Sequence, residues 1–209
     1  MIKCEVTCCG VISRSAEVKE NKETQEKFLT FKMKYPVKDR SGETKELEIS
    51  VSMPGDKGQA QLYTSGRRVR VSGTLYLRKR KDTIFFNLRN TGGDILANSK
   101  DEDSLEGTME FTGKIGKKGV DEKNDRKGNP YKAFSAYSSE KTDGDKREFI
   151  WCRFLYFDPK PEGEDFLKAE GSVECKGDLR LGVFKDAISL ECILKEVNEW
   201  VLPEKKEAE

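Results

Sequence analysis

Two nine-residue stretches decide the fold: Val69-Arg70-Val71-Ser72-Gly73-Thr74-Leu75-Tyr76-Leu77 and Val173-Glu174-Cys175-Lys176-Gly177-Asp178-Leu179-Arg180-Leu181. In each, every second residue is apolar or glycine, the period of a strand with one buried face. The two lie 104 residues apart. Working outward, Asp82-x-Ile84-x-Phe86-x-Leu88 returns at the same offset as Asp186-x-Ile188-x-Leu190-x-Cys192. Towards the amino end the offset is 103: Gly10-Val11-Ile12 returns as Gly113-Lys114-Ile115, and Phe28-Leu29-Thr30-Phe31 as Tyr131-Lys132-Ala133-Phe134. Matches in one order at nearly constant spacing mark an internal duplication.

Alternation predicts strands over 3–18, 26–38, 44–53, 67–80 and 83–91 in the first copy, and over 109–119, 130–139, 147–157, 172–182 and 186–197 in the second. Helical spacing is nearly absent. Between third and fourth strands, Lys57-Gly58-Gln59-Ala60-Gln61-Leu62-Tyr63 and Glu164-Asp165-Phe166-Leu167-Lys168-Ala169 are each long enough for a short helix. Five strands with a short helix before the fourth is the plan of the OB-fold, a Greek-key barrel that binds oligonucleotides or oligosaccharides on its strand 2–3 face. The expected fold is therefore all-β, two tandem five-stranded OB-fold barrels. The first would occupy 1–97 and the second 109–202, with an acidic linker at 98–108 and a short tail at 203–209.

The charge of the chain divides at the same place. Its 209 residues carry 39 Lys+Arg against 38 Asp+Glu. Residues 1–100 hold 20 basic and 12 acidic side chains, whereas 101–209 hold 19 and 26, so balances of +8 and −7 cancel to +1. There is no His, which removes imidazole as base, acid or metal ligand. With no phosphate-cradling glycine loop either, the expectation is a protein that is not an enzyme and takes no cofactor. The six cysteines include no C-x-x-C pair and read as reduced, mostly buried thiols without metal. No stretch approaches the ~20 apolar residues that span a bilayer, and no apolar signal core follows Met1. The reading is a cytoplasmic protein with no membrane partner.

If Phe31 and Phe134 point inward, alternation turns Lys32 and Lys34 of the first copy outward, with Tyr131 and Tyr137 of the second. In Phe149-Ile150-Trp151-Cys152-Arg153-Phe154-Leu155-Tyr156-Phe157, the set Ile150, Cys152, Phe154 and Tyr156 matches the core set Leu47, Ile49, Val51 and Met53. Phe149, Trp151, Arg153, Leu155 and Phe157 then face outward. Such a surface suits the stacking of unpaired bases, or equally an interface with another subunit or protein, where Trp and Tyr are also enriched.

The run Trp151–Phe157, followed by Phe166-Leu167-Lys168-Ala169-Glu170-Gly171-Ser172-Val173 and Gly177-Asp178-Leu179-Arg180, resembles the bacterial single-stranded-DNA-binding protein family over most of 109–197. The resemblance implies sequence-tolerant binding of single-stranded DNA in replication or recombination. It makes Trp151 and Phe157 stacking residues, Arg153 a backbone or base contact, and Phe184 the aromatic of the last hairpin. It also implies a homo-oligomer, here a dimer. Tyr137 joins the stacking set and Arg180 the phosphate contacts. Whether RNA is bound as well is left open by the sequence.

The first copy matches the framework alone, since Glu48 stands where Trp151 would and Ser50 where Arg153 would. Its candidates are basic: Arg67, Arg68 and Arg70, and the run Arg78-Lys79-Arg80-Lys81, with Phe85 outward beside it. That run reads either as a phosphate-following hairpin or as a solvated tip. Between 116 and 130 a loop rich in Lys and Arg reads equally as a flap over a ligand or as a soluble loop. The family's acidic, Phe-terminated tail has no counterpart in Pro203-Glu204-Lys205-Lys206-Glu207-Ala208-Glu209, so partners are expected on the barrels.

Overall fold

The computed structural model describes residues 1–38, 42–92, 97–141, 147–157, 159 and 163–201; the expected tail at 203–209 lies outside them. The first half forms β1 (Ile2–Glu20), β2 (Lys27–Lys38), β3 (Thr44–Pro54), α1 (Lys57–Ala60), β4 (Arg68–Arg80) and β5 (Thr83–Gly92). The second forms β6 (Ser104–Asn124), β7 (Pro130–Lys141), β8 (Arg147–Phe157), β9 (Ser172–Phe184) and β10 (Ala187–Glu199). Every expected strand is present.

Each half closes into a five-stranded ring. In the first, neighbours run β2-β3-β5-β4-β1 and β1 returns to β2; in the second they run β7-β8-β10-β9-β6 and β6 returns to β7. All pairings are antiparallel except β3 with β5 and β8 with β10. Closure requires the first strand to turn a corner. β1 pairs with β4 along Cys4–Val11 and with β2 from Val11 onward. The corner glycine Gly10 lies so close to β2 that a Cβ there would fall on the carbonyl oxygen of Lys34; Gly113 stands in the same relation to Tyr137. Lys34 and Tyr137 are themselves equivalent at the offset of 103, so the repeat extends to the contact each glycine permits.

The rings share one sheet through antiparallel pairing of β1 with β6, from Ile2 opposite Phe111 to Cys9 opposite Ser104. At its centre Glu5 faces Thr108, its own counterpart at the offset of 103. The flanking pairs Cys4 with Met109 and Val6 with Gly107 exchange under the same repeat, so the seam relates the halves by an approximate two-fold. A second pair of contacts follows that symmetry. The β4–β5 hairpin reaches the second ring, where Lys79 Nζ donates to the Phe149 carbonyl at 3.1 Å. The β9–β10 hairpin reaches the first, where Lys45 Nζ bonds the backbone carbonyl of Asp186 and, at 2.7 Å, its carboxylate.

Inside the rings the expected core sets are buried: Leu47, Ile49, Val51 and Met53 in β3, and Ile150, Cys152, Phe154 and Tyr156 in β8. Phe31 stacks on Tyr63, with centroids 5.4 Å apart, and Phe154 is flanked by Phe111 and Phe134. All six thiols are free and buried. Among the described residues no helix is long and apolar enough to cross a membrane.

Three expectations need correction. Among the described residues the second copy has no helix before β9. In the first copy Asp56 caps α1, accepting from Gly58 and Gln59, while Gln59 returns a bond to the Asp56 amide; in the second, Glu164 is drawn into an ion pair with Lys132 at 2.7 Å, and the stretch makes only isolated turns. β6 begins at Ser104, inside the stretch read as linker, because its first residues complete the seam. The basic region after Gly116 is not a loop: β6 continues to Asn124, slipping register between Ile115 and Val120, and turns tightly into β7.

Candidate nucleic-acid interface

Alternation in β7 and β8 places one aromatic ladder on the outside of the second ring. Tyr137 lies opposite Trp151 in register, and Tyr131 opposite Phe157. The Tyr137 ring contacts both Trp151 at 5.0 Å and Phe149 at 5.4 Å between centroids, while Tyr131 meets Phe157 at 5.2 Å. Despite these contacts the rings stay open to solvent: Phe149 is 42%, Trp151 49% and Phe157 43% exposed. Between the two clusters, Ser135 faces Arg153 and Ala133 faces Leu155. Small residues on β7 leave a shallow floor there, flanked by flat rings at both ends. Gly116 of β6 closes the Trp151 side, since a Cβ there would press on the indole. Exposed, pre-positioned rings offer π-faces to any base without reading its edge.

The cations predicted for this face are differently disposed. Arg153 Nη1 lies 3.2 Å from Glu191, which stands beside it in the parallel β8–β10 pairing. Arg180 lies opposite Glu191 on β9, but its side chain lines a groove of about 770 Å³ over the β1–β6 seam, with Glu5, Thr7, Ser72 and Thr108. Phe184, 66% exposed, sits at the β9–β10 turn with Lys185 Nζ 5.5 Å from its ring. That hairpin tip reaches Lys45 of the first ring. In the flap region, Asp121 takes Lys118 at 3.0 Å and Lys123 at 3.4 Å, and these bonds hold its carboxyl below the usual range.

On the first ring the equivalent face is ionic. Lys32 pairs with Glu48, and Lys34 with Glu46 at 2.5 Å, so both predicted lysines point outward with their charges engaged. Arg68 is held by Asp103 and Arg70 by Asp101 at 3.3 Å, while Arg67 donates to the Leu62 carbonyl at 2.7 Å. Arg78, Lys79, Arg80 and Lys81 crown the β4–β5 hairpin, with Phe85 opposite Arg78 in register.

The structure thus brings Trp151, Tyr137 and Phe157 together with Arg153, sets Arg180 across Glu191 from Arg153, and leaves Phe184, Lys32 and Lys34 apart from them. Phe149 and Tyr131 complete the ladder; alternation marks both as outward. Glu191 escaped the sequence reading because its effect on Arg153 depends on a parallel register that no local pattern reports. Among the described residues no group of acidic or thiol side chains is arranged to hold a metal ion.

The chain matches no protein-family model and no curated protein. Among solved structures it is similar to the wild-type single-stranded DNA binding protein from Thermus aquaticus, with TM-score 0.47 and 12% identity over 98% of this chain and 96% of that one. A deletion mutant of the same protein gives TM-score 0.48 and 13% identity over 98% of each chain. The mitochondrial single-stranded DNA binding protein of S. cerevisiae gives TM-score 0.35 and 21% identity over 44% of this chain and 91% of that one.

Proposed function

We propose that the chain is a tandem OB-fold protein that binds single-stranded DNA with little sequence preference, protecting or presenting it during replication or recombination. One observation carries this reading: the solvent-open ladder of Phe149, Tyr137, Trp151, Tyr131 and Phe157 on adjacent strands, its rings in contact with one another. The strand order of each ring, with its single parallel pairing, supports an OB-fold in each half. Bases stack on the ladder and no bond is made or broken. Two copies assemble so that one strand runs over several rings.

The test is a titration with an unlabelled dT oligonucleotide of roughly 35 bases, about two sites of the larger size known for OB-folds, following Trp emission with duplex as control. Quenching by the single strand alone is expected. Trp151→Ala should lose the quenching and about 5- to 150-fold in affinity, from ~1–3 kcal/mol of stacking. Binding that is unchanged in a folded Trp151→Ala protein would assign the ladder to a protein partner instead.

A further inference from the structure

We infer that the β4–β5 hairpin of the first ring is part of the binding face of the second, so that one site takes its aromatic rings from one half and its cations from the other. The inference rests on the nucleic-acid reading above and assigns the phosphate contacts within it.

The hairpin stands at the right end of the ladder. Lys79 Nζ bonds the carbonyl of Phe149, the residue whose ring contacts Tyr137 beside Trp151. From there the chain runs Arg78-Lys79-Arg80-Lys81, with Lys81 in a left-handed conformation at φ 56° that makes the turn. Arg78, Arg80 and Lys81 are exposed, and none has a carboxylate partner among the described residues. Several cations of the second ring are engaged, Arg153 by Glu191, Lys132 by Glu164, and Lys118 and Lys123 by Asp121, while Lys114 opposite Tyr137 and Arg147 two residues before Phe149 are exposed and, among the described residues, have no carboxylate partner. Neutralised charges hold a phosphate poorly, because releasing the carboxylate offsets the gain.

The reciprocal hairpin shows the arrangement is one-sided. At the symmetry-related place, β9–β10 brings an acid, Asp186, to Lys45 of the first ring, whose outer face is already closed by the Lys32–Glu48 and Lys34–Glu46 pairs. Of the two hairpins, the one with three unpaired cations reaches the side that carries the rings, while the other brings Asp186 with Lys185. This gives the opposed balances of the halves, +8 and −7, a common purpose: the basic half serves the aromatic face of the acidic one.

The test uses the whole chain and a dT oligonucleotide of about 10 bases, within the span of one OB-fold. Binding is read by Trp quenching at several salt concentrations, for the parent protein, for R78Q/R80Q/K81Q, and for the charge-matched K19Q/K22Q/K57Q outside the hairpin. The hairpin variant should keep the saturated quenching while its salt slope flattens by about 2, from roughly 0.7 per phosphate released. The matched variant should keep the parent slope. A hairpin variant with parent affinity and slope, or equal losses in both variants, would overturn the inference while leaving the stacking site standing. Failure of the parent protein to bind or quench would overturn the underlying reading with it.

Discussion

A Cβ at Gly177 would fall on the carbonyl oxygen of Ile193, and one at Gly73 on that of Arg89. These two glycines, equivalent at the offset of 104, let β9 and β4 cross their partner strands at backbone contact. Relief cannot come from a side-chain rotation, because backbone blocks the space. Gly177→Ala is therefore expected to cost about 2–3 kcal/mol, in the range of an overpacked core, and to move the urea midpoint without changing the face at Trp151. Equilibrium unfolding of the variant checks this. Individual residues were legible in the sequence where alternation governs them, as with Tyr137 opposite Trp151. They were not where a partner comes from a segment far along the chain, as with Glu191 on Arg153 or Asp103 on Arg68.

The pairs β2–β3 and β7–β8 are the same element twice, with opposite outer chemistry. Lys32 and Lys34 against Glu48 and Glu46 close the first; rings furnish the second. Exposed ion pairs of this kind contribute ~0–1 kcal/mol each, so E46Q/E48Q should leave stability almost unchanged while freeing two lysines. Affinity for single-stranded oligonucleotide at low salt should then rise, with a slope steeper by about 1.4 for two added phosphate contacts; unchanged binding would exclude that face from the path of the strand. At this scale the strands were readable because each has one buried side. The helix in the second copy was misjudged because length allows a helix but a cap decides it, and Glu164 is committed to Lys132. The region after Gly116 was misjudged because the register slip near Val120 breaks the period that would have marked it as strand.

Across the whole molecule, burial holds the thiols of Cys4 and Cys8 in the first ring and of Cys152, Cys175 and Cys192 in the second in the protonated form. Burial first, and neighbouring thiols or acids second, push Cys4, Cys8 and Cys192 up to about 12 from 9.0. Their folded pKa lies above the unfolded one, so the stability they contribute is complete below about pH 9 and is lost as pH rises towards 12. The slope is ~1.4 kcal/mol per pH unit for each thiol that ionises only when unfolded. Native protein at pH 8 should resist a thiol-specific chromogenic reagent that titrates all six cysteines in denaturant; rapid native reaction of any of these three would contradict the packing around them.

The seam between β1 and β6 has the form of a contact between two identical subunits, with Glu5 facing its own counterpart, yet here one polypeptide supplies both sides. Its integrity is therefore indifferent to dilution. Two separate chains joined by such a ladder would part as their concentration fell below the dissociation constant, and a site shared between them would vanish with it. Tethering through the stretch between Gly92 and Ser104 replaces that dependence with a fixed local concentration, of millimolar order for a short connection. The ladder and the hairpin beside it stay together even in a cell holding few copies, and each half is free to drift in sequence, since it never has to pair with a copy of itself.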